Sequence, residues 1–291
     1  SGQQQKPFAR LHVIVGAQEE EPAGGTQQHK SSKSVGHVRY DLVQLSCVFH
    51  KTVLHAPLNA QDYWTTMRYA VYLTPPANAP LALAAEAWLG RSAFQSASRP
   101  PAAPAAAEVE IPARYGFHGT MRSPFRLRAG VAEPALIDAF DDFVAQEPAL
   151  SARLDVAKLS RFVALGASDQ VSIAAAAMRA LAAFEPLRAP LTQADRARRR
   201  PDQLDTRGRE LLDKWGYPLV EERFTFHMTL SGPLNGENVG AVLDRAQSHF
   251  APILSHPVEL VFALFREDAE GAPFYVVRTA PMSLGDMRSA L

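Results

Sequence analysis

Two short patterns place proton-handling side chains beside hydroxyls: His118-Gly-Thr120 and His227-Met-Thr229, separated by 109 residues. On an extended strand, residues i and i+2 point to the same face. His118 therefore projects with Thr120 and His227 with Thr229, while Phe117 and Phe226 face the other way. If the two polar faces converge on one cleft, they supply two imidazoles and two hydroxyls. A neutral imidazole can accept a proton while a protonated one donates, and histidine, with an ordinary pKa of about 6.5, reaches both states near neutrality. The threonine hydroxyls can bond to non-bridging phosphoryl oxygens, where charge must be held in the transition state. This set suits phosphodiester chemistry and requires no metal.

Zinc is the obvious competitor for a histidine pair, but it takes three or four ligands and commonly a local His-x-x-x-His, which does not occur here. His249 and His256 read as structural. Arg196, Arg198, Arg199 and Arg200 form the densest basic run. As a class such runs are solvated faces. The alternative is that Arg199, with Arg188, enters the cleft and grips a terminal phosphate through bidentate contacts. Tyr115 and Arg122 are further substrate-binding candidates by their closeness to His118. Trp88 and Trp215 read as core anchors. The sequence contains no Gly-x-x-x-x-Gly-Lys loop, no Gly-x-Ser-x-Gly elbow and no dinucleotide fingerprint.

The elements that must position the two patterns repeat along the chain. In the first half a strand at 68–74 precedes a helix at 80–89 and an Ala/Pro-rich loop at 97–109. The His118 strand follows, then a helix at 133–147 and strands at 153–159 and 161–165. The second half is read as a short strand at Val171–Ile173, an Ala-rich helix ending before Pro186, a basic helical segment and the His227 strand. A helix at 237–249 and strands at 257–265 and 274–279 complete it. Arg114-Tyr-Gly-Phe-His-Gly-Thr-Met-Arg-Ser-Pro-Phe125 aligns without gaps on Arg223-Phe-Thr-Phe-His-Met-Thr-Leu-Ser-Gly-Pro-Leu234, with Arg, Phe, His, Thr and Pro coinciding. Internal duplication accounts for both levels of likeness.

Composition sets the remaining bounds. The 291 residues are 47% hydrophobic and 21% charged, the balance of a soluble globular protein. Lys plus Arg and Asp plus Glu are 30 each, so no global field draws the chain onto nucleic acid or an anionic membrane. Cys47 has no second cysteine to pair with, which suits a reducing compartment. No apolar run approaches the roughly 20 residues of a membrane span. The expected location is cytoplasmic and the expected state a monomer. Residues 1–66 read as an N-terminal extension with a disordered polar stretch at Gln18–Lys33 and a weak hairpin pattern at Val35–Leu54; Met67 reads as a natural start. The domain is then 67–291, with one lobe at 67–167 and the second at 168–282.

With these motifs in order, the chain resembles the two-histidine phosphoesterase superfamily over residues 67–282. The likeness is strongest to the branch encoded in phosphonate-utilisation operons. It rests on Arg68-Tyr-Ala-Val-Tyr, Trp88-Leu-Gly-Arg91, Tyr115-Gly-Phe-His-Gly-Thr120, Arg188-Ala-Pro-Leu191 with Arg196-Ala-Arg-Arg-Arg-Pro201, Trp215-Gly-Tyr-Pro218, and Phe226-His-Met-Thr-Leu-Ser-Gly-Pro-Leu234. The resemblance implies a duplicated bilobal α+β fold, with two antiparallel sheets facing a central cleft and helices outside. It also implies a metal-independent cyclic phosphodiesterase without cofactors, hydrolysing a ribose cyclic phosphate in phosphonate catabolism. Its catalytic residues would be His118, His227, Thr120 and Thr229. Its partner would be a small phosphorylated sugar or nucleotide. An RNA-end phosphodiesterase acting on 2′,3′-cyclic or 2′-5′ linkages is the alternative enzyme, and a non-catalytic phosphate- or RNA-binding module the alternative of another class. The branch pattern carries alanine in the middle of the first motif and a lysine soon after. Gly119 and Arg122 stand there instead, implying a looser backbone and a retained cation.

Overall fold

The computed structural model describes residues 67–95 and 107–280. The expectations for residues 1–66, for the 97–106 part of the Ala/Pro-rich loop expected at 97–109 and for the chain after 280 lie outside the described residues.

Strand β1 (Arg68–Thr74) is buried along its whole length, so both of its faces must be apolar or paired. It packs between β2 (Gly119–Phe125) and β7 (Val258–Glu267), antiparallel to both. The other strands are β3 (Leu150–Ala152), β4 (Leu154–Leu159), β5 (Phe162–Ala167), β6 (His227–Thr229) and β8 (Tyr275–Thr279). Together they form one sheet in the order β3-β7-β1-β2-β6-β5-β4, with β8 also on β7. Every pairing between these strands is antiparallel.

The expectation of two sheets facing each other is corrected here. β2 and β6 pair directly, Gly119 opposite Met228, and this joins the strands from both parts of the chain into a single open sheet. The strands also interleave: β7 lies beside β1, and β5 beside β6.

Four helices cover one face: α1 (Pro80–Leu89), α3 (Glu133–Val144), α4 (Gln170–Phe184) and α7 (Asn238–Leu254). Their buried residues, among them Leu81, Phe140, Phe184 and Phe250, share one core with Val71, Leu165, Met228 and Leu264 of the sheet. Burying each such side chain contributes about 1.5–3 kcal/mol. Helix signals in the sequence act as expected for α1, which opens with Pro80 and closes on Gly90 at φ 73°, whose N–H reaches the Glu86 carbonyl. The strand expected at Val171–Ile173 is instead the first turn of α4. The Asp169 side chain accepts from the Ser172 N–H and starts the helix there, overriding the β-branched pair.

The opposite face carries a smaller cluster of Ala70, Tyr72, Ala263, Phe265 and Phe274, alternating along β1 and β7 with the main core. On this side α2 (Glu110–Tyr115) and the segment between α4 and β6 both contribute lining residues to a cavity, while Leu211 of that segment packs on Leu181 of α4. That segment contains α5 (Gln193–Arg198) and α6 (Thr206–Trp215), each capped at its N-terminus by its own side chain, Thr192 and Asp205 respectively. The sheet and these pieces enclose a cleft. No helix among the described residues is long and apolar enough to cross a membrane.

Candidate active site

The Gly119–Met228 pair sets the geometry of the site. In this register His118 lies opposite Thr229, and Thr120 lies opposite His227. Period-two alternation then puts all four side chains on the cleft face, while Phe117, Phe226 and Met228 enter the core. His118, Thr120, His227 and Thr229 all line a cavity of about 270 Å³. Thr120 and His227 also line an adjoining compartment of about 350 Å³, whose walls include Leu159, Leu219 and Phe224.

The two histidines are held in the same way. Nδ1 of His118 lies 2.8 Å from the Gly116 carbonyl, and Nδ1 of His227 lies 2.8 Å from the Thr225 carbonyl, each two residues upstream. A carbonyl only accepts, so Nδ1–H donates and Nε2 carries the lone pair in the neutral ring. Burial pushes the His118 imidazole down to about 4, against the Gly116 hydrogen bond and with a small further push from His227. His227 is also lowered by burial, against the Thr225 bond. Both rings are therefore uncharged proton acceptors at neutral pH in the ligand-free cleft. Tyr72, whose ring is fully buried, stacks on His118 with centroids 3.8 Å apart at 22° and fixes its plane.

The expected substrate-binding residues divide into two pairs. Tyr115 and Arg199 line the cleft. Tyr115 stacks on Phe274 at 5.2 Å, and the Arg199 guanidinium lies 4.8 Å over the Tyr217 ring. Arg122 and Arg188 are not among the residues lining it. Strict alternation would put Arg122 beside His118 and Thr120, but the register with β1 shifts between Tyr69 and Val71 and again between Val71 and Tyr72. These irregularities take Arg122 out of that alternation and set it opposite Val71, a residue of the main core. There it is 1% exposed and donates to the Trp215 carbonyl and to Glu185, both at 2.9 Å. Arg188 grips the same Glu185. The expectation that Arg122 keeps a cation at the phosphate position is corrected accordingly.

Sequence reasoning passes over Arg68, Tyr72 and Tyr217, which all line the cleft. Arg68 and Tyr72 share parity on β1, so alternation could have paired them, but the strand reads as plain core. Arg68 is held by the fully buried Glu267, which also accepts from Arg114. Among the described residues no group of three or more His, Cys, Asp or Glu side chains is placed to hold a metal ion.

Comparison with known proteins adds a family and two named relatives. The family model described as "Protein of unknown function (DUF1045)" matches residues 120–275. "Ribose 1,5-bisphosphate phosphokinase PhnN" of Janthinobacterium sp. (strain Marseille) is 35% identical over 246 residues, covering 77% of this chain and 52% of the relative. The protein of the same name from Laribacter hongkongensis (strain HLHK9) is 38% identical over 219 residues, 73% of this chain and 51% of the relative. The chain thus spans about half the length of the curated relatives it matches. These findings overturn two expectations from the sequence. The family returned is not the two-histidine phosphoesterase superfamily. The activity in the relatives' name is phosphorylation of a ribose bisphosphate, a phosphotransferase reaction, and not the hydrolysis of a cyclic or RNA-end phosphodiester. With the matched segment covering more than half of the sequence, the chain belongs to the family described as "Protein of unknown function (DUF1045)".

Proposed function

We propose that the cleft binds a phosphorylated ribose and serves phosphoryl-group transfer, with His118 and His227 moving protons at the reacting oxygens. The observation that carries this reading is the matched pair of imidazoles, each with Nδ1 tied to a carbonyl and each with a threonine opposite in the register. A free Nε2 lone pair can take the proton of an acceptor hydroxyl. The other ring, once protonated beside the ligand's negative charge, can return a proton to a departing oxygen. Thr120 and Thr229 would hydrogen-bond the phosphoryl oxygens, and Tyr115 and Arg199 would hold the rest of the ligand. The relatives' name supports a ribose phosphate as the ligand class.

Phosphorus NMR of ribose 1,5-bisphosphate titrated with the chain tests this. Saturable broadening that His118→Ala and His227→Ala both weaken is the expected result; unperturbed resonances at millimolar ligand would sink the reading. Adding ATP then asks whether this chain itself transfers a phosphoryl group. Binding without transfer would place that step in the remaining length of the relatives.

A further inference from the structure

The basic run over the cleft is not uniform. Arg196 pairs with Asp213, and Arg198 pairs with Asp195 and Glu270. Arg68, at the back of the cleft, shares the one carboxylate of Glu267 with Arg114. Among the described residues no carboxylate pairs with Arg199. Its guanidinium is half-buried in the cleft wall and rests on the face of Tyr217. A guanidinium on an aromatic ring keeps its five donors in a fixed plane and loses little freedom on binding an anion.

The backbone reinforces this placement. Arg200 sits at φ 45°, ψ 60°, in the left-handed region that non-glycine residues rarely adopt. Pro201 and a short 3-10 turn to Gln203 follow. Arg198, Arg199 and Arg200, at this reversal, all line the cavity that the two histidines line.

The His/Thr quartet, by contrast, has no fixed positive charge, because both imidazoles are neutral in the ligand-free cleft. It can surround a phosphoryl group with hydrogen bonds but does not supply the cation that a dianion prefers.

We propose that the cleft holds two phosphates of one sugar at once, the first within the His118–Thr120–His227–Thr229 quartet and the second on Arg199. Arg199, seated on Tyr217, is the specificity-determining residue that selects a bisphosphorylated sugar over a monophosphorylated one. This inference rests on the sugar-phosphate reading above and goes beyond it by naming the class of sugar phosphate and the residue that selects it.

The test is calorimetric titration of the full chain with ribose 5-phosphate and with ribose 1,5-bisphosphate. The unaltered protein should bind the bisphosphate at least about tenfold more tightly, the size of one charge-assisted contact. Arg199→Gln should bring that ratio to within about twofold, chiefly by weakening the bisphosphate, while Arg199→Lys should retain part of it. Thermal melts matching the unaltered protein will confirm that the variants are folded; among the described residues Arg199 has no ion pair to lose. A ratio near one in the unaltered protein, or a ratio unchanged in Arg199→Gln, overturns the proposal. His118→Ala separates the two levels, since it should weaken both ligands alike. If monophosphate binding depends on His118 but the ratio ignores Arg199, the sugar-phosphate reading stands and the two-phosphate inference falls. If neither ligand binds the unaltered protein, both fall.

Discussion

Gly119 lies against the ring of Phe226: a Cβ at position 119 would come within 2.6 Å of the Phe226 Cζ atom. The glycine in the first motif is therefore a packing requirement and not a loosened backbone. Residue 119 is buried and paired in register with Met228. The Phe226 ring occupies the space an alanine methyl would need, so residues 119 and 226 are chosen jointly. We expect Gly119→Ala to cost about 1–3 kcal/mol, the range for overpacking. Gly119→Ala combined with Phe226→Leu should recover part of that loss. Denaturant unfolding of the two singles and the double measures the coupling, and additive losses would show that the contact does not set the choice.

Stability should fall in acid because of the histidines. An unfolded imidazole titrates near 6.5, whereas in the fold His118 is pushed down to about 4 by burial and His227 is lowered for the same reason. Between these values the unfolded chain binds the proton and the folded chain does not. The stabilising contribution is complete above pH 6.5 and is lost as pH falls toward 4, at up to about 1.4 kcal/mol per pH unit per group. Melting curves from pH 7 to 4.5 on the unaltered protein and on His118→Asn should show a shallower decline in the variant. Equal slopes would mean that His118 titrates normally in the fold.

Tyr72 gives the imidazole both its plane and part of its dryness. Replacing it by leucine removes the stacked ring and admits water, so the His118 titration midpoint should move up from about 4 toward 6.5. Proton NMR of the imidazole reads this directly. A midpoint that stays low would assign the shift to other walls of the cleft.

Arg122 should behave as a structural cation. Its one buried atom without a hydrogen-bond partner is Nε, and its other nitrogens hold Trp215 and Glu185. Removing one member of such a pair leaves a charge without its counterpart; for fully buried pairs this costs about 3–5 kcal/mol. Glu185 keeps a quarter of its side chain in contact with solvent, so the lower end applies to Glu185→Gln. Arg122→Met should lower stability while affecting sugar-phosphate affinity less than twofold. A tenfold loss of affinity in a folded Arg122→Met protein would put the guanidinium back in the ligand's reach.

Much of the site was legible because strand alternation is a strict rule. It placed His118 with Thr120 and His227 with Thr229 on one face, and it placed Phe226 in the core. The same rule misplaced Arg122, since register shifts between β1 and β2 leave no mark in the residue types around it. α1 ends at Leu89 as its glycine signal implies, whereas the Val-x-Ile pattern at 171–173 gave way to a cap made by Asp169. The joining of all strands into one sheet was not legible. It depends on the pairing of Gly119 with Met228, two residues whose types say nothing about each other's position.

The interleaving of β7 with β1 has a consequence for how this protein acquires its site. Arg68 and Glu267, joined as an ion pair across that strand pair, are 199 residues apart. Tyr72, which orients His118, has its outer neighbours on β7. Closing so long a loop delays folding relative to local contacts. A chain truncated before Val258 would leave β1 with an open edge, and the first histidine without its support, although every residue of both motifs would already be present. The two motifs therefore share one sheet whose pairings cross the whole chain, and they are not separable onto independently folding pieces.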